Sequence, residues 1–126
     1  MLTPREAREK WVAALRSGEY PQDRGYLHTP KGFCCLGVAC EVYQQEVGGL
    51  EVVEAPAHCL PHTVYARSSV VLPKVVQDWL GLASDGGEYT LLGAKSLAHE
   101  NDTGKDFATI ADIIDSEPEG LLLRTL

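Results

Sequence analysis

Three of the four cysteines, Cys34, Cys35 and Cys40, fall within the run Gly32-Phe33-Cys34-Cys35-Leu36-Gly37-Val38-Ala39-Cys40, at what reads as the start of a helix. A helix N-terminus carries unpaired backbone N–H groups and the positive end of the helix dipole, so it favours an ionised thiol and binds an anion. Two chemistries follow, a cysteine nucleophile and an anion cradle. For the cradle, the backbone between Gly32 and Gly37 offers N–H groups to a phosphate, and Arg24 and Lys31 lie close in sequence to supply charge. The expected ligand-binding set is Arg24, Lys31, Gly32, Phe33 and Cys34, joined by Asn101 and Asp102 from a later polar break. The spacing matches neither a Walker nor a dinucleotide fingerprint, and no cofactor is expected.

The nucleophile reading takes Cys34 or Cys35 as the attacking thiol and His28, or a histidine of residues 58–62, as its base. No local signature of a cysteine enzyme accompanies them. A strand histidine facing solvent explains His28 as well, and capping of the last helix explains Asn101 and Asp102. Free cysteine is among the most buried residue types, so packing is the plainer account of the thiols, with Cys34 the one worth testing as a catalytic residue. Zinc is the weakest option, because Cys34, Cys35, Cys40, His58 and Cys59 lack paired Cys-x-x-Cys knuckles and adjacent helical residues point about 100° apart. No metal is expected.

The elements that position these residues can be read from period and punctuation. Thr3-Pro4-Arg5-Glu6 has capping-box spacing and opens a helix over residues 4–17, with Ala7, Trp11, Ala14 and Leu15 as its apolar stripe and Gly18 beyond its end. Tyr26-Leu27-His28 and Gly32-Phe33 flank Thr29-Pro30-Lys31 as a short hairpin. The second helix covers residues 34–47 and is wet on one side only. Gly37 inside it costs about 1 kcal/mol relative to alanine unless another backbone packs against it. Strands are expected near residues 50–53 and 64–67, a helix opened by Pro73 through residue 80, a strand over 88–92 and a short helix over 94–99. The last helix carries Phe107, Ile110, Ala111 and Ile114, with Thr103 and Asp106 spaced as a capping pair. Leu121-Leu122-Leu123 is too apolar for a solvated tail and is expected to dock on the core or on a second copy, which makes a homodimer through residues 121–126 a further expectation.

Composition bounds the partners. A chain of 126 residues that is 44% hydrophobic and 23% charged suits one globular domain over residues 1–126. Its net charge of −7 argues against a nucleic-acid polymer or an anionic membrane as partner. No apolar run approaches the roughly 20 residues of a membrane span, and the adjacent cysteines suggest no disulfide framework, so a cytoplasmic protein with reduced thiols is expected.

Trp11, Leu15, Gly18, Tyr20 and Gln22, then Cys34-Cys35-Leu36-Gly37-Val38 and Cys40, then Leu72-Pro73, Trp79 and Gly81-Leu82, then Leu97, Asn101-Asp102, Phe107 and Ile110-Ala111 together resemble a family of small bacteriophage and prophage proteins. The resemblance spans most of the chain, and Cys-Cys-Leu-Gly-Val is its most specific part. It implies a phage origin and a place in the host cytoplasm, and it carries over no catalytic residue. By analogy of genome context, it also implies an accessory or counter-defence role.

The expected fold is α+β, four or five short helices packed on a small antiparallel sheet. The expected function is binding of a small anionic or nucleotide-derived ligand, in the manner of a protein that sequesters a bacterial immune signal. The alternatives are a cysteine-dependent enzyme acting on such a ligand and an inhibitor that contacts a host protein directly.

Overall fold

A computed structural model describes residues 2–89 and 95–123. Helix α1 (Pro4–Arg16) starts as its sequence dictates: the Thr3 amide donates to Glu6 Oε1 at 2.9 Å and the Glu6 amide to Thr3 Oγ1 at 3.1 Å, the reciprocal bonds of a capping box. It buries Ala7, Trp11, Val12 and Leu15. Four further helices follow: α2 (Cys35–Glu46), α3 (Lys74–Leu80), α4 (Leu97–Asp102) and α5 (Phe107–Ser116). Helix α1 is the hub, lying against α2, α3 and α5, while α4 bridges α2 and α5. Two long side chains of α1 tie this arrangement by hydrogen bonds. Trp11 Nε1 donates to the Cys35 carbonyl at 2.9 Å, and Arg8 Nη1 donates to the Leu80 carbonyl at 2.8 Å, satisfying an orphan acceptor at the end of α3.

The sheet lies to one side. Strands β1 (His28–Thr29), β2 (Gly32–Phe33), β3 (Val52–Glu54) and β4 (Thr63–Tyr65) run in the order β2-β1-β4-β3, all antiparallel. A second small hairpin joins β5 (Glu88–Tyr89) to β6 (Lys95–Ser96). The fold is therefore α+β, as the patterning indicates. The strands expected near residues 50–53 and 64–67 are displaced. Ala66 and Arg67 sit at φ of 47° and 71° and form the two-residue turn after β4, closed by Ser68 N donating to the Tyr65 carbonyl at 2.8 Å.

The largest departure from the sequence reading lies between residues 94 and 106. The short helix starts at Leu97, capped by Ser96 Oγ accepting from His99 N at 3.0 Å, and continues through Asp102. Asn101 and Asp102 are thus helical residues of α4, where a polar loop was expected. Thr103 does not cap α5: its hydroxyl donates to the His99 carbonyl at 2.9 Å, and Asp106 alone caps α5 by accepting from Thr109 N. The expectations for residues 90–92 of the strand and for residue 94 lie outside the described residues.

Leu121 is fully buried, and its carbonyl accepts from Ala83 N at 2.9 Å, so the start of the apolar C-terminal segment docks on the chain's own core. Residues 124–126 lie outside the described residues. Among the described residues no helix is long and apolar enough to cross a membrane.

Candidate functional site

The start of α2 is a closed structure. Leu27 enters the core fully buried, and its carbonyl accepts from Cys34 N at 3.1 Å. Cys34 is the N-cap of α2, and its sulfur accepts from Gly37 N at 3.4 Å. The Cys35 amide donates to Asn101 Oδ1 at 3.2 Å. The amides of Cys34, Cys35 and Gly37, which would have cradled a phosphate, are therefore occupied within the chain, and the glycines serve close packing. A Cβ on Gly37 would run into the Leu27 carbonyl, 2.7 Å from its carbon, and one on Gly32 would come within 2.8 Å of the Pro21 carbonyl carbon. This is the close backbone approach that a glycine in mid-helix signals.

Asn101 is the keystone of this closure. It is fully buried and uses both ends of its amide: Oδ1 accepts from Cys35 N and from Gln22 Nε2 at 2.8 Å, while Nδ2 donates to the Asp23 carbonyl at 3.0 Å. One side chain thus fixes α4, the first turn of α2 and the segment around residues 22–23. Its neighbour Asp102 is exposed and accepts from Gly25 N at 3.1 Å.

Three of the four thiols are core groups. Cys34, Cys35 and Cys40 are buried and Cys59 is exposed. Burial disfavours the thiolate, pushing Cys34 up to about 11 from the ordinary 9.0 and raising Cys35 and Cys40 as well. Modification of the folded protein with a small aromatic disulfide at about pH 8 is accordingly expected to titrate one thiol rapidly, Cys59, and the buried three only after unfolding. The same shifts fix the sign of the alkaline limb. The unfolded chain ionises these thiols near 9.0 and the folded chain does so later, so above that pH the unfolded state holds fewer protons. The stability contributed by the neutral buried thiols is complete below about pH 9 and is lost as pH rises through the folded values, by about 1.4 kcal/mol per unit for each thiol involved. Chemical denaturation between pH 7 and 10, below the range in which the raised Tyr65 adds its own loss, reads this slope, against a flat profile there if the thiols are exposed.

His28 has a different partner from the one a nucleophile requires. Tyr65 donates its hydroxyl hydrogen to Glu41 Oε2 at 2.8 Å, so His28 Nδ1, 2.9 Å from the same oxygen, acts as donor. The imidazole also stacks on Phe33, with centroids 3.9 Å apart. Burial and the Glu41 carboxylate raise Tyr65 and keep it neutral. The chain Glu41–Tyr65–His28 joins α2, β4 and β1, and His28 is half-buried within it. It was missed in the sequence because its members lie 24 and 37 positions apart. Among the described residues no three His, Cys, Asp or Glu side chains converge on a metal-sized site.

Arg24 and Lys31, the two cations of the expected set, do come together. With Asp23, Tyr26, Thr29, Pro30, Leu60 and Pro61 they line an open groove of about 410 Å³ between the β1–β2 turn and the segment before β4. Thr29 orders the groove, donating its hydroxyl to Asp23 and accepting from Lys31 N at 3.1 Å. Asp23 is held below its usual range by that hydroxyl and by the Arg24 amide, and so stays ionised. Arg24 Nε donates to the Asn101 carbonyl at 3.3 Å, which anchors the guanidinium to the keystone helix. Tyr26 stacks on the buried His62 ring at 4.1 Å and 13°, and His62 Nδ1 is fixed by the Leu60 carbonyl at 2.7 Å. Gly32, Phe33, Cys34, Asn101 and Asp102 of the expected set do not line this groove; they belong to β2, the start of α2 and α4.

A larger groove of about 740 Å³ runs between the end of α2 and α3, lined by Leu2, Tyr43, Val47, Val75 and Trp79, with Glu46 and Asp78 as the charged lining residues among those described. Two carboxylates and no lining cation make it unsuited to an anion, despite its size.

The model of a family described as a domain of unknown function (DUF8296) matches residues 4–118, a range that includes every residue of the smaller groove. Comparisons with curated proteins and with solved structures gave no match.

Proposed function

The chain belongs to that family, DUF8296, and for it we propose that the groove of Arg24 and Lys31 holds a small anionic ligand and that holding it, without chemistry, is the protein's function. One observation carries this reading: the two cations flank a concave surface in a chain whose net charge is −7, where a local positive site needs a reason. The buried, protonated thiols support sequestration over cysteine-dependent cleavage. With the bacteriophage origin that the sequence resemblance implies, the role becomes removal of an anionic signal in the host cytoplasm.

The test is calorimetric titration with ribose 5-phosphate and AMP, followed by heating the complex to release the ligand. Lys31→Glu, at an exposed position, is expected to weaken binding at least about tenfold without loss of folding, and the released ligand is expected to be intact. Unchanged affinity in Lys31→Glu, or an altered ligand, would contradict the proposal. The second reading, inhibition of a host protein by contact, draws on the larger apolar groove of Val47, Val75 and Trp79.

A further inference from the structure

We infer that the ligand of this groove is a nucleotide carrying a single phosphate group, its base lying on Tyr26 and its phosphate between Arg24 and Lys31. The inference rests on the anion-binding reading above and narrows it. Three features of the groove carry the narrowing.

The first is the aromatic platform. Tyr26 is backed by the His62 ring at 4.1 Å, and that ring is itself buried and fixed by its Nδ1 hydrogen bond, so the phenol is held in place before any ligand arrives. Pro30, Leu60 and Pro61 extend the apolar surface around it. A site for a bare phosphate or a sugar phosphate has no use for such a surface, whereas a flat base gains by stacking on it.

The second is the charge balance. Arg24 and Lys31 face one carboxylate, Asp23, which leaves the lining with a single net positive charge. That neutralises a phosphodiester and offsets at least half the charge of a monoester, so one phosphate group is the most the lining can balance. A polyphosphate would bring further negative charge against Asp23, against the nearby exposed Asp102 and against the acidic chain as a whole. The third is Asp23 itself: with its charge retained through Thr29, it offers an acceptor to a ribose hydroxyl or an exocyclic amino group beside the phosphate. A groove of about 410 Å³ lies within the size range of sites for compact ligands.

Titrations of the full chain with AMP, 3′,5′-cyclic AMP, ATP and ribose 5-phosphate separate these features. AMP or the cyclic diester is expected to bind roughly tenfold or more tightly than ribose 5-phosphate, and ATP no more tightly than AMP. Tyr26→Leu is expected to remove the advantage over ribose 5-phosphate, while Tyr26→Trp, which keeps an aromatic surface on His62, retains it. Equal affinity for AMP and ribose 5-phosphate in the wild-type protein, or tighter binding of ATP than of AMP, would overturn the single-phosphate nucleotide while leaving an anion site in place. Failure of all four compounds to bind would overturn the anion site itself.

Discussion

Gly37→Ala is expected to destabilise the protein by more than about 3 kcal/mol, beyond the usual cost of overpacking a core and a large share of a typical domain's stability. The sign is the informative part. In an exposed helix interior the same change gains about 1 kcal/mol, because alanine is the better helix former. Here the added Cβ would be driven into the Leu27 carbonyl, a backbone group that cannot rotate away. That carbonyl is also the acceptor for Cys34 N, so yielding would open the N-cap of α2 along with the entry of β1. Urea denaturation monitored by Trp11 and Trp79 fluorescence measures the loss. A neutral or stabilising effect would show that Leu27 does not lie over α2 as described.

Asn101→Leu is the second large effect, a loss of about 3–5 kcal/mol. Leucine is close in size and apolar, so the cost isolates the hydrogen bonds. It would strand the Cys35 N–H and the Asp23 carbonyl in the interior, and each unpaired buried group costs about 1–3 kcal/mol. Gln22 retains a second acceptor in the Lys105 carbonyl at 2.7 Å and is the least affected partner. The fold and the groove are coupled at this point, since the Asn101 backbone carbonyl receives Arg24 Nε and its side chain holds the carbonyl of Asp23. Whatever protein remains folded is therefore expected to bind the groove's ligand more weakly. Asn101→Asp would keep an acceptor for Cys35 N but set a carboxylate oxygen against the Asp23 carbonyl, so it is expected to be no milder at neutral pH.

The helices of this chain were legible because their signals are local. Thr3 to Glu6 specify a start within four residues, and the i, i+3, i+4, i+7 pattern from Phe107 to Ile114 specifies a buried face. Gly37 could be read as a close packing point, although its partner Leu27 could not be named. The sheet was less legible: β1 pairs β4 across the whole of α2 and β3, and strands of two or three residues carry too little alternation to be placed. Asn101 shows where residue type alone misleads. Its type suggested a loop polar group facing a ligand, whereas its partners, Cys35 and Gln22, lie 66 and 79 positions away and turn it inward. The same long-range closure converts the anion cradle expected at Gly32–Gly37 into a sealed helix start. Arg24 and Lys31 were readable as cations near a turn; Tyr26, Leu60 and Pro61 were not, because only the approach of the segment before β4 brings them to the groove.

The central claim is that ligand goes to the Arg24–Lys31 groove while the N-terminus of α2 stays sealed. Amide chemical-shift mapping of the isotopically labelled protein during titration with AMP tests it most directly. The account predicts progressive shifts at Arg24, Tyr26, Thr29, Lys31 and Leu60, with Cys35, Leu36 and Gly37 unmoved. Shifts centred on Cys35 to Gly37, with the groove amides silent, would contradict it.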